Sequence, residues 1–196
     1  MKSINLKDKM NSLIQVPLVR QATDYTCGVA CVESILRLGG YEFNDREDTL
    51  VKALKADPDF GTENTNMVEY LNNAVSEAGV HPFKTEAKLE MTLEDLMRET
   101  DKGNPVIVAI QAWADDENTD YMDDCIDGHY VIVIGYDDDN LYFMDPSTLG
   151  CYTYMPKNVF LTRWHDIDGD DNKVEHLGLI VEIKKDYSPD IAYPLL

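Results

Sequence analysis

Residues 21–31 read QATDYTCGVAC. The end of this segment begins a run in which apolar residues recur at helical spacing, and the pair Gly39 and Gly40 closes that run. We therefore predict a helix over 26–38, with Cys27 in its first turn. Unpaired backbone N–H groups and the positive end of the helix dipole favour a thiolate there, so Cys27 is a candidate for covalent chemistry.

Composition restricts the class of protein. With 196 residues, 44% of them apolar, we predict a single domain over 1–196 that starts with an irregular leader over 1–14. The 37 acidic and 17 basic side chains give a net charge of -20, which repels nucleic acids and anionic membranes, so we expect neither as a partner. No signal peptide or membrane-spanning run is visible, which favours a cytoplasmic protein; a processed secreted form fits the same sequence.

The order of predicted elements indicates an α+β fold. Besides the first helix, the N-terminal half contains segments with helical periodicity or helix-capping residues, at 45–54, 65–78 and 92–100, and one short strand, at 80–85. The C-terminal half contains runs rich in β-branched residues, at 105–110, 129–135, 140–144 and 175–183, and one helix, at 156–165. Helices followed by antiparallel strands are typical of this class.

The strands 129–135 and 140–144 flank three consecutive aspartates and so predict a β-hairpin. If the loop has three residues, His129 and Asp145 lie on one face as diagonal neighbours, roughly 7 to 8 Å apart. An even loop without a bulge would place them on opposite faces, because side chains alternate along a strand. A site that uses both residues therefore requires an odd loop or a bulge.

Two acidic segments could border a cleft or bind an ion. Residues 115–127 include seven acidic side chains in thirteen positions, and we expect this long loop to form a cleft rim or lid that favours basic or neutral substrates. Residues 166–172 alternate oxygen ligands like a calcium loop, but the required glycine and glutamate are missing. We interpret this second segment as a solvated acidic loop.

The remaining cysteines do not indicate a metal site. Cys27, Cys31, Cys125 and Cys151 lack the paired spacing of a zinc site. Cys31, one turn after Cys27, is expected to face the core. Only Cys125 and Cys151 could form a disulfide.

Four residues could together perform cysteine chemistry, which needs a base, a group that orients it, and donors for an oxyanion. His129 begins the most apolar strand, and Asp145, which follows its partner strand, could accept a hydrogen bond from His129 Nδ1. Gln21, six positions before Cys27, could donate its amide to an oxyanion beside the Cys27 N–H. Three of them also have a structural alternative: Cys27 as a buried thiol, Asp145 as a turn carboxylate and Gln21 as an amide that serves the local backbone.

These residues resemble those of the papain-like cysteine peptidases, and most closely the C39-like group related to bacteriocin-processing peptidases. The similar segments are 21–31, GHYVIVIGYD at 128–137 and MDPS at 144–147, in the family order Gln, Cys, His, Asp. The resemblance extends over about 15–183. It implies a papain-like fold in which the N-terminal helical part, including the catalytic helix, packs on a C-terminal antiparallel sheet.

The same resemblance implies a set of roles: Cys27 as nucleophile, His129 as general base and acid, Asp145 as orienting residue and Gln21 as oxyanion donor. The expected substrate is then a peptide or protein, cut at a peptide or isopeptide bond, and no metal or organic cofactor is needed. Two alternatives stay open, namely a catalytically idle module that binds peptides or a partner protein, and an acyltransferase with the same triad. The oligomeric state is not predicted.

Overall fold

The computed structural model describes residues 3–6, 12–41, 47–75, 82–113, 119–148, 150–168 and 172–184. The helices and strands of this part of the chain are, in order, α1 (Cys27–Leu38), α2 (Glu47–Ala53), α3 (Asn64–Asn73), β1 (Phe83–Lys88), α4 (Leu93–Asp101), β2 (Val106–Gln111), β3 (Gly128–Tyr136), β4 (Asn140–Met144), β5 (Thr153–Pro156), α5 (Lys157–Arg163), β6 (His165–Ile167), β7 (Lys173–Glu175) and β8 (Gly178–Ile183).

An antiparallel sheet of six strands, in the order β1-β8-β2-β3-β4-β5, organises the molecule. Apolar side chains of α1, α2 and α3 pack on one face of this sheet, and those of α4 and α5 pack on the other. The short strands β6 and β7 pair separately. The predicted α+β architecture, with the first helix packed on an antiparallel sheet, is confirmed. None of the helices in the described residues is long and apolar enough to cross a membrane.

The helix α1 agrees closely with its predicted bounds, and it is buried on nearly every side. Val29, Val32 and Ile35 have no solvent-exposed surface. Gly40 has a φ of 85°, a left-handed conformation that suits the chain reversal after the helix. Gly28 allows a close approach, since a Cβ atom there would lie 2.9 Å from the Cβ of Thr62.

Several predicted bounds were wrong, and the errors concern elements whose ends depend on tertiary contacts. Helix α3 ends at Asn73 rather than at residue 78, because Ala74 adopts an extended conformation; residues 76–78 lie outside the described part. The strand expected over 80–85 instead covers Phe83–Lys88, and residues 80 and 81 are also outside the described part.

The C-terminal third contains more breaks than its apolar pattern suggests. The strand expected over 175–183 is two strands, because His176 between them has a φ of 50°. The helix expected over 156–165 is shortened at both ends by β5 and β6, neither of which was predicted. Both strands are short and only partly buried, so their side chains do not alternate clearly.

The hairpin of β3 and β4 reaches the required register through a bulge. Tyr136 pairs with Leu141, which leaves an even connection of four residues. The register then shifts by one residue between Gly135 and Val133, so that Val133 pairs with Phe143 and Ile132 with Met144. The bulge thus restores the parity that places His129, near the start of β3, and Asp145, directly after β4, on a common face.

Candidate active site

The first turn of α1 lies beside the first residues of β3, where β4 no longer pairs with that strand. The pairing of β4 with β3 extends only to Ile132. Beyond it, the backbone of Tyr130 contacts α1 instead: its N–H donates to Cys27 Sγ at 3.5 Å, and its carbonyl accepts from Cys31 Sγ at 3.5 Å. Cys27 is 6% exposed and Cys31 is fully buried. The two thiols therefore attach α1 to β3, and the Cys27 sulfur lies at the rim of the sheet.

His129 and Asp145 are in direct contact next to this sulfur. His129 Nε2 lies 2.9 Å from Asp145 Oδ1, and both side chains are buried. Because an ionised carboxylate only accepts hydrogen bonds, Nε2 donates to Asp145, and Nδ1 remains available for Cys27, whose sulfur also hydrogen-bonds with His129. The expectation that Asp145 contacts Nδ1 was wrong, since the sequence does not determine the orientation of the ring.

A tight turn after β4 fixes the Asp145 carboxylate. Ser147 donates to Asp145 Oδ1 from its backbone N–H at 2.9 Å and from its hydroxyl at 2.7 Å. Thr148 donates to the backbone carbonyl of Asp145 from its N–H at 3.2 Å and from its hydroxyl at 3.0 Å. The carboxylate thus has one well-defined position relative to the imidazole.

The hydrogen bonds of this pair determine its charge. Burial alone would lower the pKa of His129, but its hydrogen bonds with Asp145 and Cys27 raise this pKa from 6.5 to about 9. Burial alone would raise the pKa of Asp145, but the hydrogen bonds from His129 and Ser147 leave it below its usual value. At neutral pH the pair is therefore an imidazolium and a carboxylate. Burial, together with the charges of Cys27 and Asp145, raises the pKa of Cys31 well above its usual value, which keeps this residue a thiol.

Gln21 is held close to this group by its backbone, while its side chain serves neighbouring carbonyls. Its N–H donates to the carbonyl of Pro146 at 3.0 Å, which ties the segment before α1 to the turn after β4. Its Nε2 donates to the carbonyls of Thr23 at 2.9 Å and Asp24 at 3.5 Å. Its Oε1 is buried without a partner among the described residues. The structure therefore brings Cys27, His129 and Asp145 together. The Gln21 amide hydrogen-bonds with the local backbone, as in the structural alternative given for it.

A cavity of about 390 Å³ opens beside Cys27. One wall is formed by residues 58–64, which lead into α3. The other wall is formed by residues from 125–130, from β6 and from the segment 168–177 that follows β6. Cys125 and Ile126 of the acidic loop line it, and residues 115–118 of that loop lie outside the described part. Five acidic residues among those described line the cavity, namely Asp24, Asp59, Glu63, Asp166 and Asp168.

Asp166 was not recognised from the sequence as a cleft residue. It was assigned to a solvated loop, but it lies in β6, half-buried, where its Oδ1 accepts from Gln111 Nε2 at 3.1 Å and from the Ile167 N–H at 2.9 Å. Gln111, fully buried at the end of β2, also accepts from the Asp127 N–H at 3.0 Å. Burial raises the pKa of Asp166 to about 6. A strand of three residues leaves no pattern by which the sequence could have revealed this position; residues 169–171 are outside the described part.

The described residues contain no cluster of three or more His, Cys, Asp or Glu side chains that could hold a metal ion. Cys125 and Cys151 are both free thiols, so the disulfide that the sequence left open is not formed.

A family model described as the Peptidase C39 like family matches residues 13–171. The chain belongs to this peptidase family. Among curated proteins, none matches its sequence. The membership covers both the segment that carries Cys27 and the segments that carry His129 and Asp145.

Solved structures of C39 peptidase domains have a similar fold. A double glycine motif protease from an AMS/PCAT transporter, in complex with the leader peptide, is 14% identical with a TM-score of 0.56, over 89% of this chain and 96% of that one. The peptidase domain of Streptococcus ComA, a bifunctional ABC transporter in a quorum-sensing pathway, is 20% identical with a TM-score of 0.58, over 87% and 100%. A putative C39-like peptidase from Bacillus anthracis is 15% identical with a TM-score of 0.58, over 87% and 96%. The fold of this C39-like chain is thus papain-like.

Proposed function

We propose that this protein is a cysteine peptidase that hydrolyses a peptide or isopeptide bond with Cys27, His129 and Asp145 as its triad. The observation that carries the proposal is the 2.9 Å contact between His129 Nε2 and Asp145, which leaves the opposite ring nitrogen for the thiol of Cys27. A nucleophile, a base and a group that orients the base is the arrangement that acyl transfer requires.

In the proposed reaction, the imidazolium of His129 already holds the proton that the Cys27 thiol has released, and the sulfur attacks the carbonyl carbon of the scissile bond. The tetrahedral intermediate collapses when the leaving amine accepts that proton from His129, and a thioester on Cys27 remains. Water then attacks the thioester while His129 removes its proton, and the acid product leaves. Asp145 keeps the imidazole in the correct orientation throughout.

The oxyanion would be held by the N–H of Cys27 at the start of α1 and by the side chain of Gln21. No side-chain hydrogen bond caps the first turn of α1, because the Thr26 hydroxyl is engaged by Thr23. The second donor requires the Gln21 amide to leave the carbonyl of Thr23 when substrate binds. A Gln21→Ala variant would then lose about 10²- to 10³-fold in kcat.

A peptide substrate has support from the relatives, because the transporter protease with a similar fold was solved in complex with the leader peptide. The test is a mixture of peptides of diverse sequence, incubated with the wild type, with Cys27→Ala and with Cys151→Ala. Cys151 is an exposed free thiol outside the cleft, so it gives a matched control for the loss of one thiol. We expect the wild type and Cys151→Ala to produce the same cleavage products by mass spectrometry, and Cys27→Ala to produce none.

The same assay separates the alternatives. Binding of peptides to both the wild type and Cys27→Ala without cleavage would contradict the proposal and favour an idle binding module. Amide products that form when a primary amine such as glycinamide is added, in place of hydrolysis, would assign the triad to an acyltransferase. Equal cleavage by the wild type and Cys27→Ala would exclude Cys27 as the nucleophile.

A further inference from the structure

Several carboxylates line the cavity beside Cys27. Asp24, Asp59, Glu63 and Asp166 contribute to its lining, and no lysine or arginine is among its described lining residues. Within the described part of the chain, no lysine or arginine forms a salt bridge with any of these four. A cationic group that entered the cavity would thus meet unpaired negative charge in a partly desolvated space, where charge pairs are strongest.

The walls of the cavity offer apolar surface as well. Phe60 is 70% exposed and Ile126 is 88% exposed, although both are large apolar residues. Both line the same cavity, together with Tyr130. A long aliphatic side chain that ends in a cation, such as Lys or Arg, matches surfaces of this kind. Its methylene groups cover apolar atoms, while its charged group contacts polar or charged atoms.

One buried polar group at the cavity lacks a partner. Thr62 lines it and is only 3% exposed, yet its hydroxyl has no hydrogen-bond partner among the described residues. Buried polar atoms are normally paired, so this hydroxyl points to a hydrogen bond that a bound molecule completes.

Asp166 lies close to the reacting groups. It packs against Gly128, the residue before His129, so closely that a Cβ atom at Gly128 would lie 2.7 Å from both carboxylate oxygens. The cavity also reaches Cys27 itself. A side chain that contacts Asp166 would therefore belong to a substrate residue close to the bond under attack.

We propose that this cavity is a subsite for a basic residue, Lys or Arg, of the peptide substrate. The aliphatic part of that residue lies between Phe60 and Ile126, and its cationic group pairs with Asp166. This inference rests on the proposed peptidase function and adds the substrate class and the residue that selects it.

The test compares peptides that differ only at single positions around the cleaved bond, with Lys, Arg, norleucine, citrulline or Glu at each. Norleucine and citrulline have the shapes of Lys and Arg without the charge. We expect the wild type to prefer Lys or Arg over its neutral counterpart at one position by about ten-fold or more in kcat/KM, as for a charge-assisted hydrogen bond. We expect the Glu peptide to be the poorest.

The variant Asp166→Asn should remove this preference and raise kcat/KM for the Glu peptide, because it removes the negative charge. The amide oxygen still accepts from Gln111 and Ile167, so the local structure should be retained. The matched control is Asp138→Asn, which removes the same charge from an exposed turn at the opposite end of β3. It should keep the preference. An active wild type without a preference for basic residues, or a preference that survives in Asp166→Asn, would overturn the inference.

A binding measurement distinguishes failure of this inference from failure of the proposed peptidase function. Fluorescein-labelled Lys and norleucine peptides, titrated onto Cys27→Ala and followed by anisotropy, report the subsite without any turnover. Tighter binding of the Lys peptide, lost in Cys27→Ala/Asp166→Asn, supports the inference even if the wild type cleaves nothing. Equal affinity for the two peptides overturns it even if the wild type is an active peptidase.

Discussion

At the scale of single residues, two cysteines one turn apart have opposite properties. Cys27 lies at the start of α1 and contacts an imidazole with a raised pKa, whereas Cys31 is fully buried and its own pKa is raised by that burial. The same backbone unit, that of Tyr130, contacts both sulfurs. The chemical difference between the two thiols therefore comes from their neighbours and not from their helix alone.

We expect iodoacetamide at pH 6 to label Cys27 much faster than Cys31. His129, with its pKa of about 9, is an imidazolium at this pH, and a cation next to the sulfur favours the thiolate, which is the species that reacts. The exposed Cys151 gives the rate of an ordinary surface thiol. Peptide mapping by mass spectrometry measures all three. If Cys27 reacts no faster than Cys151, or as fast in His129→Ala as in the wild type, the proposed thiolate and imidazolium pair does not exist.

The pH profile tests Asp145 as the positioning residue. The wild type should keep its kcat/KM up to about pH 9, because the imidazolium loses its proton only near the pKa of His129. In Asp145→Asn the hydrogen bond that raises this pKa is weakened, so we expect the alkaline limb to move to lower pH. We expect kcat to fall by on the order of 10²- to 10⁴-fold.

A purely structural role for Asp145 would lower activity at every pH without moving that limb. Asp138→Asn is the control for the loss of one carboxylate, and its profile should match that of the wild type. An unchanged limb in Asp145→Asn would contradict the assignment.

At the scale of elements, the sequence predicted α1 and the β3–β4 hairpin because each has a periodic apolar pattern and a clear end signal. It could not predict β5, β6 or β7, which have three or four residues each and few buried positions. The candidate site residues follow the same division. Cys27, His129 and Asp145, which the structure brings together, lie at the ends of well-predicted elements, whereas Asp166 in β6 was assigned to solvent.

Two further details depend on geometry that a sequence does not contain. The hairpin needed either an odd loop or a bulge, and only the structure shows that the register shifts after Val133. The choice of ring nitrogen on His129 depends on a side-chain rotation, and the structure shows Nε2 at Asp145. In both cases the sequence identified the residues and left their arrangement open.

The docking of α1 onto β3 gives a prediction about stability. Cys31→Ala removes a buried sulfur and leaves the Tyr130 carbonyl without its partner, so we expect the free energy of unfolding to fall by about 1–3 kcal/mol. Turnover by the folded protein should be retained, because the thiol of Cys31 is not part of the triad. Urea unfolding measures the change. Cys151→Ala, at an exposed position, should stay within about 0.5 kcal/mol of the wild type; a Cys31→Ala variant as stable as this control would contradict the proposed role of the contact.

At the scale of the whole molecule, the net charge of -20 attracts any cationic peptide, whichever part of the surface it approaches. That attraction could by itself produce a preference for basic substrates. It differs from a contact with Asp166 in its range, because charges separated by more than the Debye length are screened by salt, whereas a partly buried pair is screened much less.

Salt should therefore separate the two contributions. Raising the NaCl concentration from about 0.01 M to about 1 M shortens the Debye length from about 30 Å to about 3 Å. We expect kcat/KM for the Lys peptide to fall in the wild type, Asp166→Asn and Asp138→Asn alike, because all three lose the long-range attraction. At the higher concentration the ratio of kcat/KM for Lys to that for norleucine should stay above one in the wild type and Asp138→Asn, and approach one in Asp166→Asn. If the ratio also approaches one in the wild type, the preference belongs to the charge of the molecule as a whole, and no local pairing with Asp166 is needed to explain it.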